Sequence, residues 1–381
     1  MSTTTLAKPA RTTGHIITVV VLGLFVLAGL GAGIYRFVVG LGEATNLTDG
    51  VPWGIWIGFD FSLIALGGSG FTLATAVHVL RQDKLKPALR PSVLAGLLAY
   101  VSVLLILILD LGRPDRFYHF LIFFNVHSPM FEIAWCILLY SIVLFVETSP
   151  FYFEKIGKKK AASWVHKAVI PISVIGLVLS SLHQSTLGTL YLNMPHRLNT
   201  LWYAPIMSIL FFTSSIVAGL SVAMVAYGLS TRIRGKETDP VVMNSLAKGA
   251  AWVALVYSLM KIGDWAFAGE LPLLFAFDRA SLLMLAELGL GMILPMILFF
   301  IPSLRAKRSV QWLGASLFIA GVLFNRMNAT WFSMAPRAAG TYMPHILEWL
   351  SLAGVLGALG LAWYLGIRGL AIFKGDAPEE A

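Results

Sequence analysis

The sequence predicts an all-α integral membrane protein with about ten transmembrane helices. Of its 381 residues, 57% are hydrophobic and only 12% are charged, about half the charge that soluble domains carry. Mean hydropathy is +0.80, and apolar runs of about 20 residues, the length that spans a bilayer, recur along the whole chain. No segment has the composition of a separate soluble domain, so we expect one membrane domain over residues 1–381.

The predicted spans are joined by short loops, which places consecutive helices antiparallel. The first apolar run, Ile16 to Val39, is not followed by an apparent small-residue cleavage site, so we expect it to remain as a span. The complete set of predicted spans is 15–40, 54–80, 91–111, 128–147, 165–185, 203–228, 248–266, 279–301, 309–326 and 343–370.

The basic residues predict the orientation of these spans. Most of the 28 Lys and Arg residues lie at alternate helix ends, in clusters such as 81–90, 155–167 and 232–248. Because positively charged loops remain in the cytoplasm, both termini are predicted to be cytoplasmic. The net charge of +9 therefore reflects topology and does not indicate nucleic-acid binding.

Several ionisable side chains are predicted to lie in the outer halves of the spans, where a charge costs several kcal/mol and requires a reason. Asp60 lies about two turns into the second span, and Asp110 ends the third. Glu132 lies about one turn into the fourth span, and the fifth ends in LSSLHQSTLG, which carries His183 and Gln184. We expect these groups to share one depth and one site.

Each of these residues also has a simpler explanation. Asp110 and Arg113, three positions apart, could form a structural ion pair at a helix end. Glu132 could reach interfacial water, and His183 could end its helix with a hydrogen bond to a loop. Their convergence at one level is what favours a functional site.

A His and a carboxylate that face each other in an apolar pocket suit a ring with two carbonyl oxygens that exchanges two protons. A quinone headgroup fits this description, since its tail remains in lipid while its oxygens each need a donor. We therefore predict a quinone site formed by the polar residues Asp60, His183 and Gln184 and by the aromatic residues Trp56 and Phe59.

The sequence argues against a metal cofactor held by this chain. Haem b with two axial His ligands needs two histidines that face each other inside a bundle, but His78 lies near an inner helix end while His183 and His345 lie at outer ends. The single Cys136 excludes disulfides and an iron–sulfur cluster held by this chain alone. Electrons must then arrive from a partner docked at the outer face.

The strings PWGIWIGFD, FNVHSPMFE and HQSTLGTL, together with the predicted spans, resemble the NrfD/polysulfide-reductase membrane-anchor family, in particular its hydrogenase-2 type. The resemblance covers essentially the whole chain. It implies a haem-free subunit that reacts with menaquinone or ubiquinone in the bacterial inner membrane. It also implies a ferredoxin-like iron–sulfur protein docked on the periplasmic side.

The same resemblance implies how the helices are grouped. A first four-helix bundle with the quinone site would cover 54–185, a second would cover 203–326, and helices 15–40 and 343–370 would flank them. Asp60 and His183 occupy the positions that touch quinone in the polysulfide-reductase type, which has His and Tyr there. This difference leaves the pattern of hydrogen-bond donors open.

A proton route is predicted along the fourth span. Glu132 near its outer end and Glu147 near its inner end are about 22 Å apart on an ideal helix. Asp110 and Glu132 could pass protons to the site, with Glu147 connecting them to the cytoplasm. Glu147 could equally be a solvated helix end.

The second predicted bundle also carries ionisable residues. Lys261 and Asp264 lie three positions apart in the seventh span and are predicted to form an ion pair. Glu287 lies deep in the eighth span, where either helix packing or a second path could account for it.

These observations predict the quinone-reactive membrane subunit of a respiratory oxidoreductase complex, with a nickel–iron uptake hydrogenase as the expected partner. The alternatives are the same role beside a multihaem cytochrome, a polysulfide reductase or a nitrite reductase, a proton-coupled secondary transporter, or a purely structural anchor. Transporters typically contain broken helices near the midplane in both halves. Here the acidic groups gather toward one surface of one group of helices, which favours the quinone-reactive subunit.

Overall fold

The computed structural model describes residues 13–194, 197–333, 342–373 and 376. Over these residues the regular structure is helical, and an isolated bridge joins Thr48 and Val51. Nine helices of this part of the chain are long and apolar enough to cross a membrane. They are α1 (Thr13–Val39), α2 (Ile55–Val79), α3 (Asp83–Asp110), α4 (Pro129–Lys155), α5 (Val169–Leu192), α6 (Met207–Ile233), α7 (Pro240–Ala268), α8 (Arg279–Phe300) and α10 (Ile346–Gly369).

The ninth predicted span forms the helix α9 (Arg308–Met327), which is more polar than the others. Gln311, Asn325 and Arg326 are all buried on it. It packs between α2, α6 and α8, so its polar side chains meet other helices rather than lipid. A helix in this position can carry polar groups because protein replaces the hydrocarbon around them.

The helices pack in two groups that share a continuous core. Helices α2 to α5 pack on one another, and so do α6 to α9. Helix α6 also contacts α2, α3 and α5, and therefore joins the α2–α5 group to the α6–α9 group. Helix α1 packs almost entirely on α10, where a Cβ added at Gly29 would lie 2.4 Å from the Cα of Gly354.

The fifth helix extends beyond its predicted end at 185 and continues to Leu192. His183 is therefore about 14 Å from the C-terminal end of α5 rather than at it. The side chains of His183 and Ser185 do not end the helix because they bond to its own carbonyls. His183 Nδ1 lies 2.8 Å from the carbonyl oxygen of Leu179, and Ser185 Oγ donates to the carbonyl of Ser181 at 2.6 Å.

Three segments of the long helices have π-helical hydrogen bonding. Thr75–Val79 ends α2, Ala286–Ile293 lies within α8, and Asn328–Phe332 continues α9. Such segments are rare and frequently mark functional sites. Here they carry His78, Glu287 and Asn328 respectively.

Candidate functional site

A group of polar side chains lies at the centre of the α2–α5 group. His183 and Gln184, both fully buried, project from α5 toward α2 and α3. His183 Nε2 is hydrogen-bonded to the hydroxyl of Tyr100 on α3, and Gln184 Nε2 donates to the carbonyl of Ile64 on α2 at 2.7 Å. Because Nδ1 faces the carbonyl of Leu179, we assign the proton of the neutral ring to Nδ1, so that Nε2 accepts from Tyr100.

A second tyrosine completes this group, which we call the histidine group (Tyr100, Tyr140, His183 and Gln184). The ring of Tyr140, on α4, lies 4.8 Å from that of Tyr100 and 5.8 Å from that of His183. The Tyr140 hydroxyl and Gln184 Oε1 are buried without a hydrogen bond of standard geometry. A buried polar atom left without a partner costs about 1–3 kcal/mol, so the histidine group is suited to a further polar ligand or water.

A separate pair of carboxyl groups lies nearer the N-terminal end of α2 and the C-terminal end of α3. Asp60 on α2 is buried, and Asp110 at the end of α3 is the charged group with which it interacts. One carboxyl oxygen of each residue is buried without a hydrogen-bond partner. Two buried acceptors that repel one another in this way favour a proton or a hydrogen-bond donor, because neither oxygen has one in the fold.

The charge partner of Asp110 is Arg36 of α1, which the sequence analysis did not connect with it. Arg36 is buried and donates to the carbonyls of Leu109 and Leu111, at 2.7 Å for the first, so it also caps the end of α3. This places a buried guanidinium beside the carboxyl pair.

The predicted ion pair between Asp110 and Arg113 is absent from the structure. Arg113 is exposed and bonds instead to Asp115, at 2.8 and 2.9 Å. The prediction assumed that the helix continues through residue 113. Since α3 ends at Asp110 and Leu111 is extended, the two side chains do not share a helical face.

Asp60 and His183, predicted to face one another, have different neighbours. Asp60 interacts with Asp110, whereas His183 bonds to Tyr100. The two sites are nevertheless close in height. Gln184 bonds to the carbonyl of Ile64, which lies one turn, about 6 Å, below Asp60 on α2.

The predicted aromatic neighbours of Asp60 differ in their environments. Trp56 is fully buried, and its indole nitrogen donates to the carbonyl of Glu348 and the hydroxyl of Ser351 on α10, both at 3.1 Å. Trp56 therefore anchors α2 to α10. Phe59 is half-buried and packs against the core.

Glu132 connects to the histidine group on the side of the N-terminal end of α4. Its Oε1 accepts a hydrogen bond from Thr186 of α5 at 2.9 Å. Thr186 follows His183 by three residues, so the two share a face of α5. Glu132 is half-buried at the start of α4.

Glu147 lies below the histidine group, at the opposite end of the helices. It accepts from Ser173 of α5 at 3.0 Å and borders a cavity of about 770 Å³. His78, Arg90, Glu154 and His166 also line this cavity, and Glu154 is bonded to Arg90 at 2.6 Å. We call it the inner cavity, because it lies at the end of the helices that the basic residues predict to be cytoplasmic. On α4, Glu147 and Tyr140 are seven residues apart and share a face, about 10 Å from each other.

The predicted pair of Lys261 and Asp264 is also arranged differently. Lys261 is buried and its ammonium donates to the carbonyl of Trp202 at 3.4 Å. Asp264 is half-exposed, and among the described residues no ion pair of bonding distance joins the two. Glu287 is buried in the same group of helices.

Sequence reasoning missed Tyr100, Tyr140 and Arg36. The two tyrosines lie in the middle of their spans, away from the interfaces where tyrosine is usual, and that position was an available signal. Arg36 gave no such signal, because its contact with α3 joins residues 73 positions apart.

The fold and these buried groups define a polytopic α-helical membrane protein with a polar centre in one group of its helices. The family model described as "Polysulphide reductase, NrfD" matches residues 43–329. The chain belongs to this family.

Curated relatives extend over nearly the full chain. A protein of Nitratidesulfovibrio vulgaris is 33% identical over 90% of this chain and 89% of its own length. The "Probable Ni/Fe-hydrogenase 2 b-type cytochrome subunit" of Escherichia coli is 28% identical over 96% and 93%. The "Menaquinone reductase, integral membrane subunit" of Nitratidesulfovibrio vulgaris is 28% identical over 94% and 91%.

Proposed function

We propose that this chain is the quinone-reactive membrane subunit of a respiratory oxidoreductase complex. It passes electrons between an iron–sulfur partner and the membrane quinone pool. The observation that carries the proposal is the histidine group, a titratable centre buried among apolar helices, with the unpaired carboxyl oxygens of Asp60 and Asp110 above it. The names of two relatives, a menaquinone reductase subunit and a hydrogenase subunit, support the same role.

The proposed partner is a ferredoxin-like iron–sulfur subunit of a nickel–iron uptake hydrogenase, docked at the outer face. The hydrogenase named for the Escherichia coli relative supports this choice. The positive-inside rule supports an orientation with both termini in the cytoplasm and the carboxyl pair toward the periplasm. The α2–α5 group then forms the quinone-binding bundle, and the α6–α9 group forms a second bundle.

We place the quinone headgroup between the two polar sites. Its two carbonyl oxygens lie on opposite sides of a ring, and each needs a donor when the ring is reduced. His183 and Tyr100 would bind one quinone oxygen. Asp60 and Asp110 would bind the other oxygen once the carboxyl pair has taken up a proton. Asp60 and Ile64, whose carbonyl binds Gln184, are about one helical turn apart on α2, and this separation supports the placement.

In the proposed reaction the quinone accepts two electrons from the partner and two protons through this chain, and leaves as quinol. The neutral His183 ring carries its proton on Nδ1, so it first takes up a second proton at Nε2. It then gives that proton to the quinone oxygen and returns to the neutral form in which Nε2 accepts from Tyr100. Glu132 and Asp110 would supply protons from the outer side. Glu147, at the inner cavity, would supply them through Tyr140 and water from the cytoplasm.

The decisive experiment compares single substitutions in the purified complex. We expect His183→Ala and Asp60→Ala each to slow electron transfer from the natural donor to a quinone analogue at least about tenfold, about 1.4 kcal/mol. Ser185→Ala is the matched control, because Ser185 is on α5 beside His183 but bonds only within its own helix. The control should retain normal turnover.

A complex that assembles normally and still reduces quinone at the normal rate in both variants would show that the site lies elsewhere. If His183→Ala prevents assembly, Tyr100→Phe tests the same contact while preserving the ring. It removes only the hydroxyl that bonds His183 Nε2.

A further inference from the structure

A second buried charged cluster, which the proposed quinone chemistry does not use, lies in the α6–α9 group. It contains Lys261 of α7, Glu287 of α8 and Arg326 of α9, with exposed fractions of 3%, 3% and 1%. Buried charges inside a membrane protein are costly and usually mark a path for ions or protons. The contacts of each member show which one can exchange a proton.

Glu287 is held as a carboxylate. Its Oε2 accepts from Trp202 Nε1 at 2.8 Å and from Asn328 Nδ2 at 2.7 Å, and its Oε1 accepts from Asn325 Nδ2 at 2.7 Å. All three neighbours are donors, and none accepts the proton that a neutral carboxyl group would have to place. Glu287 is therefore a fixed negative charge.

Arg326 is a fixed positive charge. Its guanidinium donates to the carbonyl of Phe211 at 3.1 Å and to the hydroxyl of Ser214 at 3.0 Å, and it lies over the Phe211 ring. Arginine remains protonated in proteins. Arg326 and Glu287 thus balance one another, and a protonated Lys261 adds one buried positive charge to them.

Lys261 is the least satisfied member of the cluster. An ammonium group has three N–H donors, but the contacts of Lys261 are a 3.4 Å hydrogen bond to the carbonyl of Trp202 and the face of the Trp265 ring. It borders a cavity of about 10 Å³, close to the volume that one water molecule needs. Arg326 and Tyr257, which carries a hydroxyl group, line the same cavity.

The charged groups around Lys261 continue toward one end of the helices. Besides Glu287, it interacts with Asp264, about one turn farther along α7, and with Glu270 in the loop that follows. Asp264 is half-exposed. In the opposite direction, α7 presents the closely packed and fully buried Ala254, Ala251 and Ala250. The partly exposed carboxylates near Lys261 therefore lie toward the Ala268 end of α7, which is the outer end in the proposed orientation.

We propose that Lys261 is a proton-exchange site open to the outer side. Its ammonium releases a proton through water to the carboxylate of Asp264, leaving a neutral amine, and the proton then passes to Glu270 and the outer solution. Reloading reverses these steps, so no other reactant is needed. Glu287 is the positioning residue: it favours the ammonium form and is presented from a π-helical segment.

Competitive labelling with acetic anhydride tests this proposal, because only the neutral amine reacts. The complete complex, in membrane vesicles without donor or quinone, is labelled while the pH on each side is set separately. Peptide mass spectrometry then gives the modified fraction of Lys261. Lys248, exposed near the inner end of the same helix, is the internal control.

We expect labelling of Lys261 to follow the outer pH and labelling of Lys248 to follow the inner pH. Glu287→Gln removes the charge that favours the ammonium, so labelling of Lys261 at neutral pH should rise at least about tenfold while Lys248 is unchanged. If Glu287→Gln does not fold, Asp264→Asn should raise the labelling in the same direction by a smaller factor.

The proposal is overturned if the labelling of Lys261 follows the inner pH. It is also overturned if Lys261 remains unlabelled at every outer pH, although Lys248 is labelled when the inner pH is set to the same values. It is also overturned if the labelling of Lys261 is unchanged in Glu287→Gln and in Asp264→Asn, or in whichever of the two variants folds. None of these outcomes bears on the quinone site, because the measurement involves no electron transfer.

Discussion

At the scale of single residues, the two glutamates of α4 lie at opposite ends of a line of polar groups. Glu132 bonds to Thr186 above His183, and Glu147 bonds to Ser173 at the inner cavity below Tyr140. A substitution by glutamine preserves the volume of the side chain and its hydrogen bonds but cannot exchange a proton. The pair therefore distinguishes the two directions from which protons reach the proposed quinone site.

If protons come from the cytoplasm, Glu132→Gln and Glu147→Gln should both slow quinone turnover, each by about tenfold or more. Turnover in sealed vesicles should then move charge across the membrane, which a potential-sensitive dye records. If protons come from outside, only Glu132→Gln should have this effect.

Glu154→Gln is the matched control for this pair. Glu154 lines the same inner cavity, but Arg90 and His166 hold its carboxylate, so it is not free to relay protons. Its variant should preserve turnover. A silent Glu132→Gln variant would mean that Glu132 is structural and that protons pass through Asp110 or water.

Residue by residue, the sequence predicted which polar groups are buried better than it predicted their partners. Asp60 and His183 stood out because charge or titratable nitrogen is costly among apolar neighbours. Their neighbours could not be read from the sequence, because they come from other helices. Tyr100 of α3 bonds to His183, and Asp110, which interacts with Asp60, has Arg36 of α1 as its charge partner. The Arg113 prediction was wrong because local spacing decides a pairing only while the helix continues.

At the scale of the helices, the contact of α1 with α10 depends on two glycines. A Cβ at Gly29 would meet the backbone of Gly354 at 2.4 Å, whereas a Cβ at Gly31 would meet nothing within 4 Å. We predict that Gly29→Ala forces α1 away from α10 and lowers the thermal stability of the purified protein in detergent. The same change at Gly31 should leave the stability unchanged or slightly raised, because alanine favours helix.

Thermal unfolding followed by circular dichroism measures both variants under identical conditions. The expected loss for Gly29→Ala is about 1–3 kcal/mol, the range for overpacking a close contact. Equal melting temperatures for the two variants would show that the glycine contact does not hold the helices together.

The existence of the helices was predictable from apolar run length, but some ends and local distortions were not. The polar residues near 185 suggested the end of α5, yet they bond to carbonyls one turn back and the helix continues. The π-helical segments leave no trace in hydropathy, because each depends on how one helix meets its neighbours.

At the scale of the whole molecule, the proposed complex should contain no haem b in this chain. Both ring nitrogens of His183 are in hydrogen bonds, His345 caps the start of α10, and His78 lies at the inner cavity. Among the described residues, no group of three His, Cys, Asp or Glu side chains could hold a metal ion. Two facing histidines are needed for bis-histidine haem, and these do not face one another.

A reduced-minus-oxidised spectrum of the purified chain measures this directly. We expect no b-type bands. Bands in a one-to-one ratio with the chain would contradict the assignment of His183 to quinone chemistry, and would agree with the name of the Escherichia coli relative.

The contact between α1 and α10 also brings the first and last described helices together. His15 and Tyr364 are hydrogen-bonded at 2.9 Å with their rings stacked, so the first and last helices are neighbours at the same end of the molecule. A circularly permuted chain, joined by a short linker beyond these two residues and opened in a surface loop, would preserve every helix–helix contact. Sequence order and spatial neighbourhood are thus separable in this fold.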